Sequence, residues 1–126
     1  MRKIDVVHAI IRRQNRFLLG KRSLSKKSGP GYWALIGGCV EDNECLQDGL
    51  IRECLEEIGT QVGLHKKIAE TEEREAIHHW FEVQIVLGEP FLANDENSDL
   101  KWSTLSEMLE LSPITSEDLK ILQSHY

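Results

Sequence analysis

The chain has 126 residues, 40% of them hydrophobic and 29% charged, with a formal net charge of −6. That length suits one domain, residues 1–126, with a single core, and the composition is ordinary for a globular protein in water. The negative balance disfavours a nucleic-acid duplex, because two polyanions repel, but it leaves room for a single nucleotide whose phosphates arrive with metal.

In chain order, residues 3–11 (KIDVVHAII) and 16–22 (RFLLGKR) are β-rich runs joined by a tight RRQN connection. The first run is too short to span a membrane, and no small-residue cleavage site follows it, so no membrane partner and a cytoplasmic location are expected. His8, between apolar neighbours, reads as a tolerated strand histidine. Lys21 and Arg22 end the second run, where cations at a strand end can meet phosphate, Arg in bidentate fashion. Residues 23–31 (SLSKKSGPG) form a Ser/Lys/Gly/Pro loop placed to close over a ligand. A short strand, WALI, then runs from Trp33 into Gly37-Gly38, where two glycines allow close approach of the backbone to metal or phosphate.

Next comes an acidic turn and a helix of about four turns, expected over Glu44 to Ile58. Asp42 or Asn43 is placed to cap its start, and Gly59 to end it in the left-handed conformation. Leu46, Leu50, Cys54 and Ile58, with Ile51 and Leu55, make one broad apolar side. Gly49, Glu53, Glu56 and Glu57 share another, Gly49 leaving room for a ligand. Like charges at i+3 and i+4 repel. Arg52 offsets part of this through Glu56 or by reaching back to Glu44, but one positive charge does not balance the cluster. A hard divalent cation such as Mg²⁺ takes carboxylate oxygens and keeps waters and phosphate oxygens as its other ligands. It is the natural remaining partner.

Residues 60–74 read as a strand with a charged end, and 74–87 as the longest strand, with Ile77, His79, Phe81, Val83, Ile85 and Leu87 facing the core. The opposite face is mixed, as in a half-wet pocket. There His78 and Trp80 are candidates for stacking on a base, the alternative being ordinary sheet pairing. Residues 88–99 form an acidic loop and 100–102 begin a last strand. Two helices follow, capped by Ser103 or Thr104 and by Thr115 or Ser116. Cys39, Cys45 and Cys54 are odd in number, lack CxxC spacing and read as reduced packing thiols.

Gly38, five residues, Glu44, seven residues, Arg52-Glu53, then Glu56-Glu57 and Gly59 follow the Nudix box position for position. Seven fixed identities coincide by chance in about one chain in a million at ordinary residue frequencies. The sequence thus resembles the Nudix hydrolases, small MutT-like members in particular. Leu18 to Arg22 and Gly31-Tyr32-Trp33 leading to Gly37-Gly38-x-x-Glu41 extend the likeness, while Ile36, Cys54 and Thr60 depart from it without removing a charge. The resemblance implies an α/β fold (α+β mixed sheet), an α/β/α sandwich in the order ββ(β)αβββαα. It implies a metal site of Glu53, Glu57, Glu56 as ligand or base, the Gly37 carbonyl (Gly38 as second choice) and Glu96 (Asp95 second). Arg52 and Glu44 would be the orienting pair among the catalytic residues, with Glu53 and Glu56. Arg22, Lys21, Trp33, His78 and Trp80 are the substrate-binding candidates.

Because carboxylates do not bind phosphate directly, this reading requires Mg²⁺, with Mn²⁺ as a substitute, and two or three ions would match the acid count. The expected reaction is hydrolysis of a nucleoside triphosphate, oxidised ones included, to monophosphate and pyrophosphate by a monomer or homodimer. Two rivals stand beside it. One is a nucleotide-sugar hydrolase of GDP-mannose or ADP-ribose type; the other is a Nudix module that binds nucleotide without turnover.

Overall fold

The computed structural model describes residues 2–126. Its centre is β1 (Ile4–Arg13), whose alternation sends Val7, Ala9 and Ile11 to one face of the sheet and Ile10 to the other. One edge of β1 pairs in parallel with β6 (Ala76–Leu87) from Ile4 to Ile11. The other edge is shared in succession. Its first half pairs antiparallel with β4 (Ile36–Cys39), and its end turns through Gln14 and Asn15 into β2 (Arg16–Arg22). β3 (Trp33–Ala34) and β7 (Asn97–Ser103) pair with β2, and β5 (Gln61–Glu72) lies outside β6, which completes an open mixed sheet.

Helices cover both faces. On one side α1 (Leu46–Ile58) buries Leu50, Cys54 and Ile58 against Val7, Ala9, Ile11, Phe81 and Val83. On the other, α2 (Leu105–Met108) and α3 (Ser116–His125) bring Met108 and Leu122 onto Ile10, Phe17, Leu19 and Trp80. The expected α/β/α sandwich is therefore present. The WALI strand is split in two, because Trp33 and Ala34 pair with β2 while Ile36 onwards crosses to β1. No helix of the described residues is long and apolar enough to cross a membrane.

Several local expectations are corrected. The helix begins at Leu46 rather than Glu44, and its cap is Cys45, whose Sγ accepts from the Asp48 N–H at 3.4 Å. Asp42 and Asn43 are spent on the preceding turn, where Asn43 has φ +66 and the Glu44 N–H donates to the Glu41 carbonyl. Leu55 is 56% exposed and lies outside the buried stripe. The opposite face of β6 is mixed as expected, with Trp80 buried under α3 and Gln84 and Val86 exposed, while Leu87, expected in the core, is exposed at the strand's end. The last strand starts at Asn97, three residues earlier than expected. Thr104 caps α2 with a reciprocal Glu107 bond, and Thr115 occupies the cap position of α3.

Candidate active site

Two strand glycines make room for the acids of α1. At Gly37 a Cβ would lie 1.9 Å from the Val7 carbonyl oxygen, so only glycine lets β4 approach β1 this closely. At Gly38 a Cβ would lie 2.6 Å from the Glu53 carboxyl group. The Glu53 head thus rests directly on the strand. Gly49 serves packing instead of a ligand, since a Cβ there would meet Val40 and Glu44 at 3.0 and 3.1 Å.

Arg52 ties the acidic turn to the helix. Its Nε and Nη2 donate to the two Glu44 oxygens at 2.8 and 3.0 Å, and Nη2 also reaches the Cys39 carbonyl at 3.1 Å. Nη1 donates to Glu53 and Glu56, each at 3.2 Å. The guanidinium fork matches a carboxylate in two bonds at once, which fixes orientation as well as charge. It holds the Glu44 carboxyl below the usual carboxylate range, helped by the Glu41 backbone N–H. Glu44 in turn pushes the Arg52 guanidinium up.

Glu57 lies deeper, 6% exposed. The buried amide of Asn97 donates to its Oε1 at 3.0 Å, while Oε2 is buried with no donor among the described residues, and the Glu53 carboxyl lies within hydrogen-bonding reach of Glu57. Burial first, and then the Glu53 carboxyl beside it, push the Glu57 carboxyl up to about 9; Asn97 pulls the other way and Glu96 adds a smaller push. A buried acid with an orphan oxygen next to a second acid is a site short of positive charge. A divalent cation is the group that such a donor set fits: it would take the orphan oxygen as ligand and remove the reason for Glu57 to keep a proton.

The other candidates have partners of their own. Among the described residues no three His, Cys, Asp or Glu side chains already form a ligand cluster. Glu56 turns outward to Arg52, and the Glu96 carboxylate is paired with the Lys26 ammonium. Ser23 of the same loop donates its N–H to the Glu96 carbonyl at 3.0 Å and its hydroxyl to the Asp95 carbonyl, so residues 23–31 are fastened beside the acids. Arg22 donates to the Ser28 carbonyl at 2.7 Å, and Lys21 pairs across the sheet with Trp33 on one side and Asp99 on the other. Trp33 is half-buried and bridges to Ile114.

The two aromatic candidates on β6 divide. His78 stays partly accessible, 2.9 Å through Nδ1 from His8 Nε2. Trp80 is 1% exposed, stacks on His8 with ring centroids 4.7 Å apart and donates Nε1–H to Asp118 at 3.0 Å. The structure makes it a core residue rather than one open to a base, because α3 packs over it. Burial lowers the pKa of His8. Sequence reasoning missed Asn97 and Lys26. Both meet their acids across more than 39 residues of chain, so no local spacing marks them.

An open mixed sheet between helices, with a paired-acid helix laid across a double glycine and an arginine binding that helix to its entry turn, defines a Nudix hydrolase. A model of the NUDIX domain matches residues 1–124, and the chain belongs to that family. Its relatives narrow the class. The CTP pyrophosphohydrolase of Escherichia coli K12 is 32% identical over 129 residues, which cover 98% of this chain and 92% of that protein. The nucleoside triphosphatase NudI of Escherichia fergusonii is 39% identical over 66 residues, about half of each chain (52% and 47%). Among solved structures, a MutT protein from Methanosarcina mazei Go1 superposes with a TM-score of 0.81 at 25% identity, covering 99% of this chain and 95% of that one. Members of the family generally use divalent cations, typically Mg²⁺.

Proposed function

We propose that the chain hydrolyses a nucleoside triphosphate to nucleoside monophosphate and pyrophosphate, with Mg²⁺ as its cation and Mn²⁺ as a substitute, in the cytoplasm. The observation that carries the reading is the pair of half-buried Glu53 and buried Glu57, whose one oxygen without a donor, Glu57 Oε2, calls for a cation. Similarity to the CTP pyrophosphohydrolase along 98% of the chain favours a triphosphate, and a cytidine one first.

Glu53 and Glu57 would hold the ion, with the Gly37 carbonyl beside them. When bound, the ion supplies charge neutralisation at the phosphate oxygens and fixes the polyphosphate. Glu56, on the outer turn of the helix beside Arg52, would accept a proton from the attacking water or serve as a further ligand. Glu96 would join once Lys26 turns from it to a phosphate oxygen. Arg52 and Glu44 keep the helix in register with its entry turn, so that the acids stay within the narrow range of positions that an in-line displacement tolerates. Arg22, Lys21, Trp33 and His78 are the substrate contacts, the cations meeting phosphate and the rings meeting the nucleoside.

A product screen tests this. CTP, dCTP, the other nucleoside triphosphates, ADP-ribose and GDP-mannose are incubated with Mg²⁺ or with a chelator. The expected outcome is metal-dependent release of pyrophosphate from a triphosphate, and a fall of orders of magnitude in Glu53→Gln and Glu57→Gln. Release of sugar phosphate alone would assign the chain to the nucleotide-sugar class; tight nucleotide binding with no turnover would make it a binding module.

A further inference from the structure

The contact that decides how Glu57 presents its orphan oxygen comes from another strand. β7 meets β2 in regular register from Ser103 to Asp99, with Leu100 opposite Gly20 and Asp99 opposite Lys21. Arg22, the next residue on β2, then faces Asn97 and not Ser98. One extra residue is thus inserted in β7. Such a bulge moves the following side chain to the other face of the strand. Leu100 and Trp102 face α1, so regular pairing would have turned Ser98 towards that helix and Asn97 away from it. The bulge reverses this. Asn97 is buried and donates to Glu57 Oε1 at 3.0 Å.

Gly20 completes the arrangement. A Cβ there would lie 2.5 Å from Asn97 Oδ1 and 2.8 Å from Asn97 Cγ. The amide is therefore seated in the space a side chain on β2 would occupy, with its NH₂ directed at Glu57.

Resting on the reading of Glu57 as a metal ligand, we infer that Asn97 is a positioning residue: wedged between Gly20 and Glu57, it holds Oε1 so that Oε2 alone is turned to the cation. An amide in contact with a ligand carboxylate fixes its plane and occupies one of its oxygens, and loss of such an outer contact typically weakens metal binding by about 10–100-fold. Asn97 does this without touching metal or nucleotide. Without it, Glu57 would swing between orientations, and the cation would have to order the carboxylate as it bound.

The test uses Mn²⁺ alone, titrated into the full chain without nucleotide and followed by calorimetry or by the spin-resonance signal of the free ion. In Asn97→Ala the Mn²⁺ affinity is expected to fall about 10–100-fold, and Mg²⁺-dependent turnover to return towards the wild-type value as Mg²⁺ is raised in proportion. Gly20→Ala, which keeps the amide but displaces it, should show the same weakened binding and remains informative if Asn97→Ala does not fold. Adding Gly20→Ala to Asn97→Ala should cost no further affinity, because the wedge is already gone. Wild-type Mn²⁺ affinity in Asn97→Ala overturns the inference, as does a loss of turnover that raised Mg²⁺ fails to restore. So do losses that multiply in the double variant. Glu57→Gln separates the two levels: if it binds Mn²⁺ normally, the metal-ligand reading fails and takes the inference with it. If it loses Mn²⁺ while Asn97→Ala does not, the inference alone fails.

Discussion

At the scale of single residues, the site is an imbalance of charge held in place by one guanidinium and one amide. Glu44, Glu53 and Glu56 share one guanidinium, and Glu57 has only an amide. This makes the metal-free protein sensitive to pH in an unusual direction. Most carboxylates in folded proteins are held below their ordinary range and stabilise the fold as pH rises. Glu57 is pushed from 4.5 up to about 9, so the folded state keeps a proton that the unfolded chain has released. Its contribution is complete below pH 4.5 and drains away as pH climbs towards 9, by at most about 1.4 kcal/mol per unit. Urea unfolding of the chelator-treated protein across this window should therefore show stability falling with pH. Glu57→Gln should flatten the fall, and saturating Mn²⁺ should abolish it. A wild-type profile that instead rises with pH as steeply as the variant's would show that Glu57 is ionised without metal.

At the scale of elements, α1 works because both its ends are fixed by glycine-dependent contacts, and the two ends differed in how plainly the sequence announced them. The period of Leu50, Cys54 and Ile58 and the terminal Gly59 were legible, because helix spacing and a left-handed C-terminal glycine are local properties. Cys45 as cap was not, because Asp42 and Asn43 are the better capping types and only the turn of residues 41–44 decides that they are used elsewhere. Leu55 fits the apolar period, but it is exposed and takes no part in the buried stripe. The C-terminal end also carries the 88–96 loop. Phe91 and Ala93 donate their N–H groups to the carbonyls of Ile58 and Glu57, both at 3.0 Å. Gly59 has φ +62, and a Cβ there would fall 2.2 Å from the Phe91 ring. Gly59→Ala should therefore cost the left-handed strain, about 1–2 kcal/mol, and more for the displaced ring. Denaturant midpoints measure the loss. Faster amide exchange at Phe91 and Ala93 would locate it at this junction.

At the scale of the whole molecule, the sheet separates the acids of α1 from the packing of α3, with Trp33 and His78 on the α3 side, and this division explains which residues were legible in sequence. The acids all lie with α1 on one face, and their spacing along one helix made them readable from sequence. The opposite face is built by contacts between distant segments, and there alternation in β6 could tell which residues share a side but not that α3 would cover Trp80. Trp80 was misplaced for that reason. Its indole N–H and the Leu35 backbone N–H both donate, at 3.0 Å each, to the two oxygens of Asp118, a side chain of α3 that is itself buried. One carboxylate thus fastens α3 to β6 and to the segment leading into Gly37. Asp118→Asn preserves the shape but turns an NH₂ group towards one of these two donors, leaving a buried N–H unpaired and weakening the other bond. The expected cost is about 2–4 kcal/mol, from an unsatisfied donor at about 1–3 kcal/mol and a lost charge-assisted bond. Because Asp118 and the acids of α1 lie on opposite sides of the sheet, Mn²⁺ affinity without nucleotide should stay at its wild-type value while the unfolding midpoint falls. If the variant's Mn²⁺ affinity drops with its stability, the two faces are mechanically coupled through Leu35 and the glycine strand, and the separation does not hold.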